Sequence, residues 1–123
     1  SRHRAMIVLF HKKTGITKMI IEHRTYSIRM GEIGNYLDAY GADGLALHEG
    51  HLGKCVGHYR SEVGPQSQLV MMWAFDDFNQ RMERKAKLDA DPAWAKLLNE
   101  ELVPRVEGIE TKLLIPNSFW SPK

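Results

Sequence analysis

The sequence predicts an α+β fold of the ferredoxin-like type, in which an antiparallel sheet carries its helices on one face. Segments with strand-like and helical spacing of apolar residues follow one another in the order βαββαβ. One of the strand segments is apolar at every position, which is typical of a strand that is covered on both sides. The length of 123 residues fits one such domain.

The first half of the chain supplies a strand, a helix and a second strand. Residues 20–28 are rich in β-branched and aromatic side chains and predict the first strand. Residues 33–47 repeat apolar side chains at spacings of three and four, which predicts a helix in spite of its glycines. Residues 52–63 predict a strand that Gly53 and Gly57 bend or bulge.

The second half begins with the apolar strand, residues 69–75. Asp91 and Pro92 then provide the N-cap and first-turn proline of a helix, and residues 109–115 predict the last strand.

A helix is also expected directly after the apolar strand. Asp76 or Asp77 would cap it, and Phe78, Met82 and Leu88 would form its apolar stripe. Its bases lie toward its C-terminal end, where the helix dipole favours positive charge.

The apolar strand also predicts the oligomeric state. Helices cover only one face of a ferredoxin-like sheet, yet both faces of this strand are too apolar for water. A second copy of the chain is the simplest cover, so we expect a homodimer. The two faces consist of Leu69, Met71, Trp73 and Phe75 on one side and Val70, Met72 and Ala74 on the other.

The distribution of charge separates the first 18 residues from the rest. They hold five bases and no acid, whereas the remaining residues carry 12 bases and 15 acids, a net charge of −3. We expect residues 1–18 to be an extension that folding does not require, residues 19–118 to be the domain and residues 119–123 to be a short C-terminal tail. A mildly acidic body argues against nucleic acid as a partner.

Composition also bears on the cellular compartment. Cys55 is the one cysteine, so an intramolecular disulfide is impossible and a disulfide-built secreted domain is excluded. No run approaches the roughly 20 apolar residues of a membrane-spanning helix. We expect a cytoplasmic protein.

A series of short motifs over about residues 19–118 resembles the NIPSNAP family of the dimeric α/β-barrel superfamily. Each motif is weak alone, and their order and spacing are specific together. They are Glu22-x-Arg24-Thr25-Tyr26, Gly31, His51-Leu-Gly-Lys-Cys-Val-Gly57, Glu62-Val-Gly64, Trp73-Ala-Phe-Asp76, Arg81, Asp91-Pro92-x-Trp94 and Glu110-x-Lys-Leu-Leu-Ile-Pro116.

The resemblance implies a ferredoxin-like fold whose dimers form a barrel, and it implies no settled enzyme activity. Eukaryotic members of the family are associated with mitochondria and vesicular trafficking. Other families on the dimeric fold include small oxygenases, haem-degrading enzymes and dehydratases, so the fold alone does not choose a reaction. No cofactor is implied.

The residues that we expect to bind a ligand lie on one face of the first strand. Glu22, Arg24 and Tyr26 alternate there, and buried charges are costly unless they are paired. One interpretation is a polar patch inside the dimer cavity, in which Arg24 anchors a small anionic or carbonyl ligand while Glu22 and Tyr26 exchange protons. The alternative is a structural network, with Glu62 as a further partner, that fixes strand register.

Other candidates for chemistry are weaker. His48, His51, Cys55 and His58 suggest a metal site, but Cys55 and His58 should point to opposite faces of a strand unless Gly57 bulges it, so we predict no metal. The thiol of Cys55 is expected to be buried and inert. Among the aromatic residues, Trp73 is assigned to the cavity, whereas Tyr36, Tyr40 and Trp94 occupy helix-stripe positions typical of the core.

Two functions therefore remain open. In the first, the dimer binds a small anionic or carbonyl ligand in a polar cavity at the sheet face. In the second, the barrel is filled and the protein is a non-enzymatic interaction module whose outer helices bind partners.

Overall fold

The computed structural model describes residues 19–120. In this part of the chain the predicted order βαββαβ is confirmed, whereas the expected extension 1–18 and the end of the expected C-terminal tail lie outside it. The elements are strand β1 (Ile20–Ile28), helix α1 (Ile33–Ala39), a π-helical turn (Tyr40–Gly44), helix α2 (Leu45–Leu52), strand β2 (Cys55–Arg60), strand β3 (Gln68–Phe75), helix α3 (Phe78–Asp89), helix α4 (Pro92–Leu97), a second π-helical turn (Leu98–Leu102), a 3-10 turn (Val103–Arg105) and strand β4 (Val106–Leu114).

The strands form one antiparallel sheet in the ferredoxin-like order β2-β3-β1-β4. β1 therefore lies in the middle of the sheet, between β3 and β4. Glu22 of β1 lies opposite Trp73 of β3, and Arg24 lies opposite Met71. Since directly opposed residues of an antiparallel pair point to the same side, Glu22, Arg24 and Tyr26 share the face of Met71 and Trp73.

The helices pack on this same face. The side chains of β3 that point to it are almost completely buried, and those on the other face are half-buried. The charged face of β1 is therefore turned toward the chain's own helices. Our expectation of a patch inside the cavity between two copies was wrong in this respect.

The helical stretch after β1 contains a wider turn that the residue spacing did not predict. Residues Tyr40–Gly44 form a π-helical turn between α1 and α2. A Cβ atom at Gly44 would lie 2.5 Å from Cδ1 of Tyr40, so any larger residue at this position would clash with the Tyr40 ring as it is placed. Such turns add one residue to the helix and occur often at functional sites.

Strand β2 contains the bulge that its glycines predicted. The register with β3 shifts between Cys55 and Gly57, so that Cys55 lies opposite Trp73 and His58 lies opposite Met71. Because one residue is inserted, Cys55 and His58 point to the same face of the sheet.

Side chains of aspartate begin both later helices, as the sequence predicted. Asp77 accepts a hydrogen bond from the backbone N–H of Gln80 at 2.8 Å, and Asp91 accepts one from the backbone N–H of Ala93 at 2.9 Å. Pro92 occupies the first turn of α4.

The expected apolar stripe of α3 was only partly correct. Leu88 is buried, whereas Phe78 and Met82 are about half exposed. The face of α3 that turns toward the sheet is instead basic, through Arg81 and Lys85.

No helix within 19–120 has both the length and the apolar character that are needed to cross a membrane.

Candidate functional site

A buried carboxylate, Glu22, lies at the centre of the sheet and contacts three cations. Its side chain has no exposed surface. Oε1 accepts a hydrogen bond from Nε of Arg81 at 2.5 Å, while Oε2 lies 3.3 Å from Nη1 of Arg24 and 3.7 Å from Nζ of Lys85. Arg81 and Lys85 are four residues apart on α3 and therefore project from one side of that helix. We call Glu22, Arg24, Arg81 and Lys85 the buried charge cluster.

The buried charge cluster is not balanced. Three cations face one carboxylate, which leaves two positive charges without a counterion in the cluster. Neither Oε2 of Glu22 nor Nε of Arg24 has a hydrogen-bond partner among the residues that the structure describes. Burial lowers the pKa of the Lys85 ammonium and the charge of Arg24 lowers it further, while the carboxylates of Glu22 and Asp89 oppose this shift. An unpaired buried charge is costly, so the cluster favours an added anion.

A cavity of about 590 Å³ opens beside the cluster, between the helices and the sheet. Arg24 and Lys85 form part of its wall, and Tyr26 and Tyr36 provide phenol groups. The volume lies within the range of small-molecule sites. Most of the remaining wall is apolar and includes Leu88, Trp94, Leu98, Leu102 and Val106. The carboxylates of Asp89 and Glu107 also lie on the wall, and both residues are exposed to solvent.

The two tyrosines of the cavity remain protonated at neutral pH. Burial raises the pKa of Tyr26, and the charge of Arg24 opposes this only in part. Burial likewise raises the pKa of Tyr36. The two rings meet edge to face with centroids 6.4 Å apart, and the Arg24 guanidinium carbon lies 5.2 Å from the centroid of Tyr26. Tyr26 is therefore suited to donate a hydrogen bond to a ligand.

His48, considered from the sequence only as part of a metal site, is a further residue of the cavity wall. It is 2% exposed, and its Nδ1 lies 2.6 Å from the hydroxyl oxygen of Tyr40. Its ring centroid lies 4.1 Å from that of Trp94 and 5.1 Å from that of Trp73. Burial, followed by the charge of Arg24, lowers the pKa of His48 to about 3, so its imidazole is neutral.

A repeat of four residues could have revealed His48. The buried positions of this helical stretch are spaced by four, because the π-helical turn adds a residue and shifts the buried face. The stripe based on spacings of three and four led instead to Leu47, which is only half-buried. The four-residue row consists of Tyr36, Tyr40, Gly44, His48 and Leu52.

The histidines and the cysteine of the suggested metal site have separate partners. Nε2 of His51 lies 2.7 Å from Oδ2 of Asp91, and the ring of His58 stacks on Tyr40 with centroids 5.1 Å apart. Burial raises the pKa of the Cys55 thiol, whose Sγ donates to the carbonyl of Gly57 at 3.1 Å. Within residues 19–120 no three potential metal ligands come together.

The structure separates the predicted site residues into three groups. Arg24 and Tyr26 line the cavity, and Glu22 lies directly behind Arg24. Trp73 is completely buried behind His48 and has no hydrogen-bond partner for Nε1 among the described residues. Glu62 is exposed in the loop between β2 and β3 and is not part of the cavity wall, so its assignment as a ligand-binding residue or as a further partner of the charged network was wrong. Tyr36 and Trp94, expected only in the core, do line the cavity.

A second depression of about 630 Å³ lies between the outer helices. Its charged residues, Asp43, Lys96, Glu100 and Glu101, are all exposed. Exposed charges are already solvated by water and do not require a ligand. The cavity beside the buried charge cluster is therefore the better candidate site.

Comparison with known proteins gave consistent results. The family model described as NIPSNAP matches residues 21–122. A curated relative, a NipSnap homolog from Dictyostelium discoideum, is 25% identical over 95 residues, which are 77% of this chain and 41% of that protein. This chain thus spans about two fifths of the relative's length.

Two solved structures of similar fold come from bacteria. A NIPSNAP family protein of unknown function from Agrobacterium tumefaciens has a TM-score of 0.82 and 36% identity, covering 87% of this chain and 96% of its own. An uncharacterized NIPSNAP-like domain protein from Burkholderia xenovorans also has a TM-score of 0.82, with 29% identity, and covers 86% of this chain and 91% of its own.

Proposed function

Since this chain belongs to the NIPSNAP family, which includes a solved member of unknown function, we propose its function from the geometry of the cavity. We propose that the protein binds a small carboxylate that has an apolar or aromatic body. Arg24 and Lys85 hold the carboxylate, and the apolar wall contacts the body of the ligand.

The excess of positive charge in the buried charge cluster carries this proposal. Glu22 offsets one of the three cations, and the Arg24 side chain lines the cavity wall. A ligand carboxylate would supply a second anion and accept the planar pair of hydrogen bonds that a guanidinium offers. Glu22 and Arg81 then have a supporting role, because Glu22 holds Arg24 from behind and Arg81 holds Glu22.

The cavity wall supports a ligand with a sizeable apolar part. Trp94 and the leucines of the wall favour rings or branched chains over water. The phenol groups of Tyr26 and Tyr36 add a small number of polar contacts that would fix the orientation of the ligand.

Calorimetric titration of the wild type with 3-phenylpropionate and 4-phenylbutyrate tests the proposal. We expect binding that is lost in Arg24→Met. Arg60→Met is the matched control, since Arg60 is also on a strand but is exposed, and it should bind like the wild type. Equal binding by Arg24→Met, or no binding by the wild type, would contradict the site and favour the alternative of a filled interaction module.

We also propose a homodimer that joins the sheet faces opposite the helices. Val70, Met72 and Ala74 make that face of β3 apolar. Their half-buried state leaves apolar area that a second copy would cover. The single cysteine supports the cytoplasm as the compartment, because Cys55 has no other cysteine with which to pair.

A further inference from the structure

We propose that His48 donates a hydrogen bond from Nε2 to a second oxygen of the ligand, so that the cavity selects carboxylic acids that also carry a carbonyl group. The inference rests on the proposed carboxylate site and adds a second group of the ligand, a carbonyl, that the site recognises. It depends on the placement of His48 between Tyr40 and the cavity.

The contact with Tyr40 determines which nitrogen of His48 carries the proton. Burial raises the pKa of the Tyr40 phenol, so the phenol keeps its proton. Among the described residues, the hydrogen-bond partner of that hydroxyl is Nδ1 of His48, at 2.6 Å. A phenol that donates to Nδ1 leaves the proton of a neutral imidazole on Nε2. Nε2 is then a donor.

The surroundings of His48 direct this donor toward the cavity. His48 belongs to the cavity wall, whereas Tyr40, on the Nδ1 side of the ring, does not. Two aromatic neighbours pack against the ring, with the centroid of Trp94 at 4.1 Å and that of Trp73 at 5.1 Å. Arg24 and Lys85 line the same cavity as His48, so the imidazole and the anion-binding groups share one site. Burial and then the charges of Arg24 and Lys85 lower the pKa of His48, which keeps the imidazole neutral.

The chemistry of the donor defines the ligand class. A neutral N–H in a water-poor cavity forms a strong hydrogen bond with a carbonyl oxygen and costs free energy when it is left without a partner. A site of this kind disfavours an analogue that lacks the oxygen. The ligand is therefore an oxo acid with an apolar body, whose carboxylate binds at Arg24 and Lys85.

The test compares matched acids with and without the carbonyl group. The pairs are phenylpyruvate with 3-phenylpropionate and 4-oxo-4-phenylbutyrate with 4-phenylbutyrate, titrated by calorimetry. We expect the wild type to prefer at least one oxo acid over its partner by about three- to tenfold, as one hydrogen bond would give. His48→Phe should abolish the preference, so that each oxo acid and its partner bind this variant with equal affinity.

Two further variants separate the role of His48 from general stability. His51→Phe changes another histidine of α2, one that pairs with Asp91 outside the cavity, and it should keep the preference. Tyr40→Phe removes only the hydroxyl group that fixes the tautomer, and it should reduce the preference. Long-range nitrogen NMR of the wild type should show a protonated Nε2 whose resonance shifts with the oxo acid and not with its partner.

The outcomes distinguish this inference from the carboxylate site. Equal affinity for the members of both pairs, a preference that persists in His48→Phe, or an unprotonated Nε2 in the NMR spectrum would overturn the role of His48 and leave the carboxylate site intact. Absence of binding by all four acids would overturn the carboxylate site and this inference with it. If His48→Phe does not fold, the Tyr40→Phe titration and the NMR measurement decide.

Discussion

The guanidinium of Arg81 is hydrogen-bonded to the buried carboxylate of Glu22, which joins helix α3 to the central strand of the sheet. The two residues are 59 positions apart in the sequence. Glu22 also contacts Arg24 and Lys85. Removal of one cation and removal of the shared carboxylate should therefore change the free energy of unfolding by different amounts.

We predict that Glu22→Gln destabilises the protein far more than Arg24→Met. Removal of the carboxylate leaves three partly buried cations together and should cost roughly 3–5 kcal/mol. Removal of Arg24 leaves Glu22 with two cations and removes an excess charge, so the free energy of unfolding should change by less than about 1 kcal/mol. Urea denaturation of both variants measures this, and similar losses would show that the cluster does not carry excess positive charge.

Gly44 provides a test of the π-helical turn. Gly44→Ala places a methyl group within 2.5 Å of the Tyr40 ring, and overpacking of this kind should cost about 1–3 kcal/mol. Gly34→Ala is the matched control in α1, since a Cβ at Gly34 meets no atom within 4 Å, and it should be neutral or stabilise by up to about 1 kcal/mol. Thermal melts of the two variants should move in different directions, and equal shifts would argue against the close Tyr40–Gly44 packing.

The pair His51–Asp91 predicts a dependence of stability on acid pH. The hydrogen bond from His51 is the main cause that lowers the pKa of Asp91 below its usual 3.8. A carboxylate with a lowered pKa in the folded state contributes stability above 3.8, and this contribution is lost as the pH falls through the folded-state pKa.

Asp91→Asn keeps a side chain that can cap α4 but does not titrate. Its stability should therefore fall less steeply than that of the wild type between about pH 4 and pH 2, as followed by urea denaturation at each pH. Parallel pH profiles for the two proteins would contradict the prediction.

The proposed dimer is tested at Met72. Met71 is completely buried against the helices, so a charge at that position would unfold the core whether or not the protein is a dimer. Met72 lies on the opposite face of β3 and is the better test position. We expect wild-type protein to sediment as a dimer and Met72→Glu to sediment as a folded monomer, because the charge cannot be buried between two sheets. Val63→Glu, at a position that is 90% exposed, is the control and should remain dimeric. A monomeric wild type at micromolar concentration would contradict the dimer.

The strands and helix caps could be predicted because local chemistry determines them. β-Branched residues specify β1, Asp77 and Asp91 act through short side-chain contacts, and the apolar run specifies β3. Such features depend on neighbours within a few residues, and the sequence displays these directly.

The candidate site was harder to predict from the sequence, because it depends on an inserted residue in a helix and on pairing between residues that are far apart in the chain. The π-helical turn changed which residue of the helix is buried, and this concealed His48. Arg81 and Lys85 could be explained from the sequence as bases that suit a helix end, yet in the structure they pair with Glu22 on β1. Their partner becomes visible only when the register of the sheet and the position of α3 are known.

The cavity also affects the last strand of the sheet. Among the strands that the structure describes, β4 lies at the edge and pairs with β1 alone, and its residues Val106 and Ile109 complete the cavity wall. A ligand that requires this wall binds only the conformation in which β4 is docked, so its binding free energy also opposes detachment of that strand. Occupancy of the site and integrity of the sheet edge are therefore coupled, and the backbone amides of β4 should exchange hydrogen more slowly when the cavity is filled.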